Sequence, residues 1–144
     1  TLVIEGRPEE GLEILLALEP EYLDWWNLMF FIGLGYRMTK EYDQALKYFS
    51  KVMELNTGHV PTYNEIGLCY MTMGRFDEAI KAFKEALKMD RENAEILCNL
   101  GIVYIQLNEL DEAESVLMLS FKADSSDEIT TSWLKKLNEL RLIN

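Results

Sequence analysis

Three stretches, Ile32-Gly33-Leu34-Gly35-Tyr36, Ile66-Gly67-Leu68-Cys69-Tyr70 and Leu100-Gly101-Ile102-Val103-Tyr104, share the pattern apolar-Gly-x-x-Tyr. Gly33, Gly67 and Gly101 follow one another at a step of 34 residues, held twice without insertion. Twelve residues after each Gly comes an Ala (Ala45, Ala79, Ala113), and four further on a large apolar residue (Phe49, Phe83, Leu117). A fixed period of this length is the signature of a repeat architecture.

Within each unit the spacing is helical. In the middle unit Tyr63, Ile66, Gly67, Tyr70 and Met73 recur at three- and four-residue steps, which places them on one helix face. The pattern breaks at Met73-Gly74-Arg75 and resumes with Phe76, Ala79, Ile80, Phe83 and Leu87. Each unit therefore reads as a helix hairpin. The Gly and the Ala are expected where the paired helices cross, since a larger side chain would hold the backbones apart. Asp77-Glu78 near the start of the second helix, and Lys84 and Lys88 toward its end, suit the helix dipole.

These residues resemble those of the tetratricopeptide repeat family, whose pattern is a Trp-like aromatic, Leu-Gly, Tyr, a tight turn, Ala, Phe or Tyr, Ala and usually a final Pro. Residues 60–93 match it with Tyr63, Ile66-Gly67, Tyr70, Gly74, Ala79, Phe83 and Ala86. Residues 94–127 match with Leu97, Leu100-Gly101, Tyr104 and Ala113, but carry Leu117 and Ser120 for the later aromatic and Ala. Residues 26–59 match with Met29, Ile32-Gly33, Tyr36, Ala45 and Phe49, and carry Val52 where Ala is usual. The final Pro is replaced by Thr57, Arg91 and Ser125.

The resemblance implies an all-α fold, an α-solenoid in which antiparallel helix hairpins wind into a right-handed superhelix. The expected organisation is a single domain over 1–144: a half-repeat at 1–25, repeats at 26–59, 60–93 and 94–127, and a capping helix at 128–144. The half-repeat is the second helix of a truncated unit. Gly6 stands in its turn, Pro8-Glu9-Glu10 opens it, and Gly11, Leu15 and Leu18 fall in register with Ala45, Phe49 and Val52. At the other end Ile129, Trp133, Leu134, Leu137, Leu140 and Arg141 form one more amphipathic helix, with Lys135 in the Gly place. A polar-faced closing helix suits the end of such a stack. A first residue of Thr1 rather than Met makes a piece of a longer protein the expectation.

Composition narrows the function. Of the 144 residues 49% are apolar, which excludes intrinsic disorder. The longest apolar run, 25–38, is interrupted by Arg37 and is too short to span a membrane. Acids outnumber bases by 25 to 14, so nucleic acid, which needs a basic face, is not an expected partner. The charge balances over the five successive segments are −6, +1, −1, −6 and +1, so the acidity sits in two blocks. Two Cys cannot form a disulfide framework, and a reducing, cytoplasmic setting is expected.

No catalytic constellation is visible, so no enzyme activity, cofactor or metal is expected. The single histidine, His59, lies at a seam between units and reads as structural or solvent-facing. Cys69 reads as a buried, inert thiol and Cys98 as a groove-lining residue. The glycines stand singly inside helices, which excludes a phosphate cradle.

In the family, the first helix of each unit lines the concave side of the stack. The resemblance places Asn27, Phe30, Leu34, Arg37, Met38, Asn64, Leu68, Met71, Cys98, Ile102 and Ile105 on that groove, with Pro61, Thr72, Glu95 and Gln106 beside them. This lining is mostly apolar, with Arg37 as its base. The family's co-chaperone type captures an acidic C-terminal carboxylate with a basic clamp, and Phe30, Glu95 and Asn99 stand where clamp residues would be. The expected function is thus a non-enzymatic interaction or scaffold module binding an apolar peptide or amphipathic helix in its concave groove. The alternative is a structural module for self-association, such as a homodimer, or for docking within a larger protein. Neither nucleic acid nor a membrane is an expected partner.

Overall fold

The computed structural model describes residues 26–143 together with Glu13. The half-repeat expected over 1–25 lies, Glu13 apart, outside the described residues. Seven helices and no strand occur among the described residues: α1 (Trp26–Met38), α2 (Tyr42–Leu55), α3 (Val60–Thr72), α4 (Phe76–Met89), α5 (Ala94–Gln106), α6 (Leu110–Ala123) and α7 (Glu128–Ile143). Tertiary contacts divide the chain into two compact units, Thr1–Cys69 and Tyr70–Asn144, and the division falls inside α3.

The tight turn is built the same way in each hairpin. Lys40, Gly74 and Asn108 adopt positive φ angles of 66°, 78° and 59°. This left-handed residue lets the next N–H reach back five places. Glu41, Arg75 and Glu109 donate to the carbonyls of Tyr36, Tyr70 and Tyr104 at 2.8, 2.8 and 2.9 Å. These are the bonds of a Schellman cap, which satisfies carbonyls that the helix end leaves free. Glycine suits the site and asparagine tolerates it, whereas lysine meets a steric cost.

In the first unit, α1 packs along α2. One buried cluster holds Met29, Ile32, Tyr48 and Val52; a second holds Leu34, Ala45, Phe49 and Cys69. At Gly33, where a close approach of the paired helices is expected, the side chain that needs the room is Phe49. A Cβ on Gly33 would lie 2.6 Å from the Phe49 ring, so the glycine opens a slot for a side chain sixteen residues on. The Tyr36 and Tyr48 rings also stack, with centroids 5.6 Å apart.

In the second unit α5 packs on α4, on α6 and on α7, and α6 also meets α7. The slot recurs, since a Cβ on Gly101 would stand 2.6 Å from Leu117 Cγ. Ser120, which replaces the usual Ala, is fully buried, and its hydroxyl lies against two neighbours. Ser120 Oγ lies 2.8 Å from the Ala94 carbonyl and 2.8 Å from Thr130 Oγ1 on α7. Thr130 also reaches Asp127 Oδ2 at 2.8 Å. Two hydroxyl hydrogens serve three contacts, so the Ser120–Thr130 contact takes one only when another contact gives it up. The far end of α7 is tied by Arg141, whose Nη2 donates to the Leu110 carbonyl and to Asp111, and pairs with Glu114 at 2.9 Å. Between these ties Leu137 is buried.

Candidate interaction faces of the first helices

The residues assigned to a groove meet different fates in the two units. In the first unit several of them already have partners. Leu34 is 9% exposed and belongs to the cluster of Ala45, Phe49 and Cys69. Asn64 is 6% exposed, on the buried side of α3. Phe30 is half-buried and touches both core clusters. Its ring meets His59 edge-on at 4.8 Å.

Arg37, the base of the lining, forms an ion pair with Glu65 on α3, the two side chains being 30% and 15% exposed. Its charge is therefore already matched from the neighbouring first helix. The signal in the sequence was Glu65 itself, an acid where the other repeats carry Phe31 and Asn99. Of this unit's set, Asn27 and Met38 remain exposed and Leu68 half-buried. The Asn27 side chain accepts a hydrogen bond from the Leu28 N–H at 2.9 Å.

In the second unit Ile102 and Ile105 stay half-buried on α5, as does Met71 on α3. They stand out because seven other residues of α5, from Ile96 to Tyr104, are buried. Glu95 and Gln106 are exposed on the same helix. Cys98 departs from the groove position expected for it. It is 3% exposed, and the thiol comes within hydrogen-bonding reach of Thr130, so the closing helix covers it. Its signal was the phase of Thr130, which the amphipathic reading of α7 had left out.

The remaining chemistry is quiet. Burial pushes the Cys69 thiol up to about 12; the nearby Arg37 charge pulls it down and Glu65 raises it again. Burial also raises the Cys98 thiol. Neither sits in the electropositive, open setting that activates a cysteine. His59 Nδ1 lies 2.7 Å from Thr62 Oγ1, and the ring packs against Trp26 at 4.7 Å. Burial holds its pKa below the ordinary value. Among the described residues no group of three His, Cys, Asp or Glu could hold a metal ion, and no helix is long and apolar enough to cross a membrane.

Comparison with known proteins places the hairpins in a family. One family model, described as Tetratricopeptide repeat, matches residues 23–92, and a second of the same description matches residues 70–128. No curated protein matches in sequence. Among solved structures, MamA from Desulfovibrio magneticus RS-1 superposes with a TM-score of 0.86 at 17% identity, over 97% of this chain and 79% of that one. YrrB, described as a TPR protein with an unusual peptide-binding site, gives 0.84 at 19% identity, over 93% and 69%. The first TPR of Spaghetti (RPAP3), bound to the HSP90 peptide SRMEEVD, gives 0.77 at 17% identity, over 81% and 93%. The fold class is all-α, that of the tetratricopeptide-repeat solenoids. With the 34-residue period, the glycine slots and the repeated turn, these matches show that the chain belongs to the tetratricopeptide repeat family.

Proposed function

We propose that this chain is a non-enzymatic protein-interaction module, a scaffold that takes an apolar segment of a partner on the open sides of its first helices. The observation that carries the reading is the pair Ile102 and Ile105, which stay half-buried on a helix where seven other residues, from Ile96 to Tyr104, are buried. In the same unit Met71 adds a flexible, half-buried side chain on α3. Two relatives in fold support a peptide as the ligand class, since YrrB is described by a peptide-binding site and the RPAP3 domain holds an HSP90 peptide. The acidic peptide of the latter is a poor model for this chain. Arg37 is already paired with Glu65, and Phe30, Glu95 and Asn99 do not form a basic clamp. Two buried thiols, Cys69 and Cys98, support a reducing, cytoplasmic setting.

The test is to pan a random peptide display library on the immobilised chain, and to measure the selected peptides against Ile102→Asp with Ile105→Asp. Apolar peptides should be selected, and the double variant should lose about tenfold or more in affinity with an unchanged melting temperature. Peptides that bind the variant equally well would overturn the reading. Light scattering that shows a dimer, dissociated by the same variant, would replace it with the self-association reading.

A further inference from the structure

Hairpin three carries an outer face unlike those of the two hairpins before it. Met118 and Leu119 on α6 are 51% and 53% exposed. The residues one repeat earlier are Lys84 and Glu85, and two repeats earlier Ser50 and Lys51. The template therefore asks for polar side chains here, and the apolar pair fills no space in the core. Adjacent exposed apolar side chains at positions that are otherwise polar leave apolar surface available to a partner.

Leu119 also walls a cleft of about 230 Å³ between the turn that precedes α5 and the end of α6. The buried Leu97 lies at its base beside Ala123, and the exposed Arg91, Glu92 and Lys122 stand on its rim. Arg75, Lys88 and Arg141 are all engaged in ion pairs. The side chains of Arg91 and Lys122 make no ion pair or hydrogen bond among the described residues. Lys122 is also the one base among residues 94–127, set against seven acids. A mixed cleft, with Leu119 on one wall and the cations of Arg91 and Lys122 on its rim, has the chemistry to receive an aliphatic side chain next to a carboxylate.

We propose that this cleft is a second docking surface, separate from the open sides of the first helices, and that it takes an acidic, leucine-containing segment of a partner protein. The leucine enters against Leu97 and Leu119, and a flanking carboxylate lies between Arg91 and Lys122. Glu92 on the same rim leaves the cleft with a net charge of +1, so it favours one flanking acid over a dense acidic run.

The experiment titrates the isotope-labelled whole chain, by NMR, with three synthetic nine-residue peptides. Each has a central Leu-Leu in a Ser-Gly frame, flanked by Glu, Gln or Lys. The Glu-flanked peptide should shift amides at 91–97 and 119–123 and bind about tenfold more tightly than the Lys-flanked one. Arg91→Glu with Lys122→Glu should invert that order, and Leu119→Gln should weaken all three peptides. These side chains are exposed, so unchanged spectra elsewhere serve as the check on folding. Ile102→Asp should leave the Glu-flanked peptide's affinity unchanged, which separates this surface from the first-helix face. Equal affinity for the three peptides, shifts confined to the surroundings of Ile102 and Ile105, or no shift at millimolar peptide would overturn the proposal.

Discussion

The first hairpin and the third solve one 34-residue template with different chemistry. In the first unit the slot at Gly33 receives an aromatic ring, Phe49; in the second the slot at Gly101 receives the branched aliphatic Leu117. The first unit joins α1 to α3 with the Arg37–Glu65 ion pair, while the second joins α6 to α7 with buried hydroxyls and Arg141. Just before α3, α5 and α7 stand His59, Asn93 and Asp127, three different groups at one repeat position. Asn93 accepts a hydrogen bond from the Ile96 N–H, and Asp127 one from the Ile129 N–H. The repeat thus dictates where a side chain must be small, large or able to cap. It leaves open which side chain meets the need.

The comparison can be broken most sharply at the slots. Phe49→Ala should cost the first unit about 3–5 kcal/mol, and Leu117→Ala should cost the second about 2–5 kcal/mol, because each removes a fully buried side chain and leaves a cavity facing glycine. Denaturant unfolding gives the totals, and amide exchange should show the larger loss of protection in the unit that carries the substitution. Equal loss of protection in both units after either change would mean that the slots are not local devices.

The turns offer a smaller and cleaner contrast. Gly74→Ala should destabilise by about 1–2 kcal/mol through the left-handed φ alone, since no heavy atom lies within 4 Å of the new Cβ. Lys40→Gly should go the other way, gaining up to about 1 kcal/mol as the strained φ of 66° is relieved. Thermal melts of the two variants check both signs.

The least effect belongs to His59. Burial lowers its pKa below the ordinary 6.5, so the folded first unit favours the neutral ring. The stability this supplies is complete above pH 6.5 and is lost as the pH falls through the lowered folded value. His59→Asn, which installs the residue found at position 93, should flatten that pH dependence. An unchanged slope in the melting temperature between pH 7 and 5 would show that His59 does not supply it.

Much of the hairpin geometry was legible in the sequence because helix periodicity and turn chemistry are local properties. Tyr70, Met73 and Gly74 announced a helix end, and the structure places its left-handed turn at Gly74. The open sides of the first helices were legible only in part. Ile102 and Ile105, placed on the groove by the resemblance, are half-buried. Leu34, Asn64 and Cys98 were placed there in the same way yet are buried: Leu34 clusters with Ala45, Phe49 and Cys69, and Cys98 lies within hydrogen-bonding reach of Thr130. Periodicity reports which residues share a face. It does not report what that face meets.

The repeat, its period, the hairpins and the family are readable along the linear chain, since each depends on residues close together in it or on self-similarity between stretches. It took the folded chain to reveal that Gly33 and Gly101 make room for Phe49 and Leu117, that Arg37 is matched by Glu65, and that Thr130 comes within hydrogen-bonding reach of Cys98. These are contacts between side chains 16 to 32 residues apart, and their free energy depends on distances and burial that no local pattern encodes.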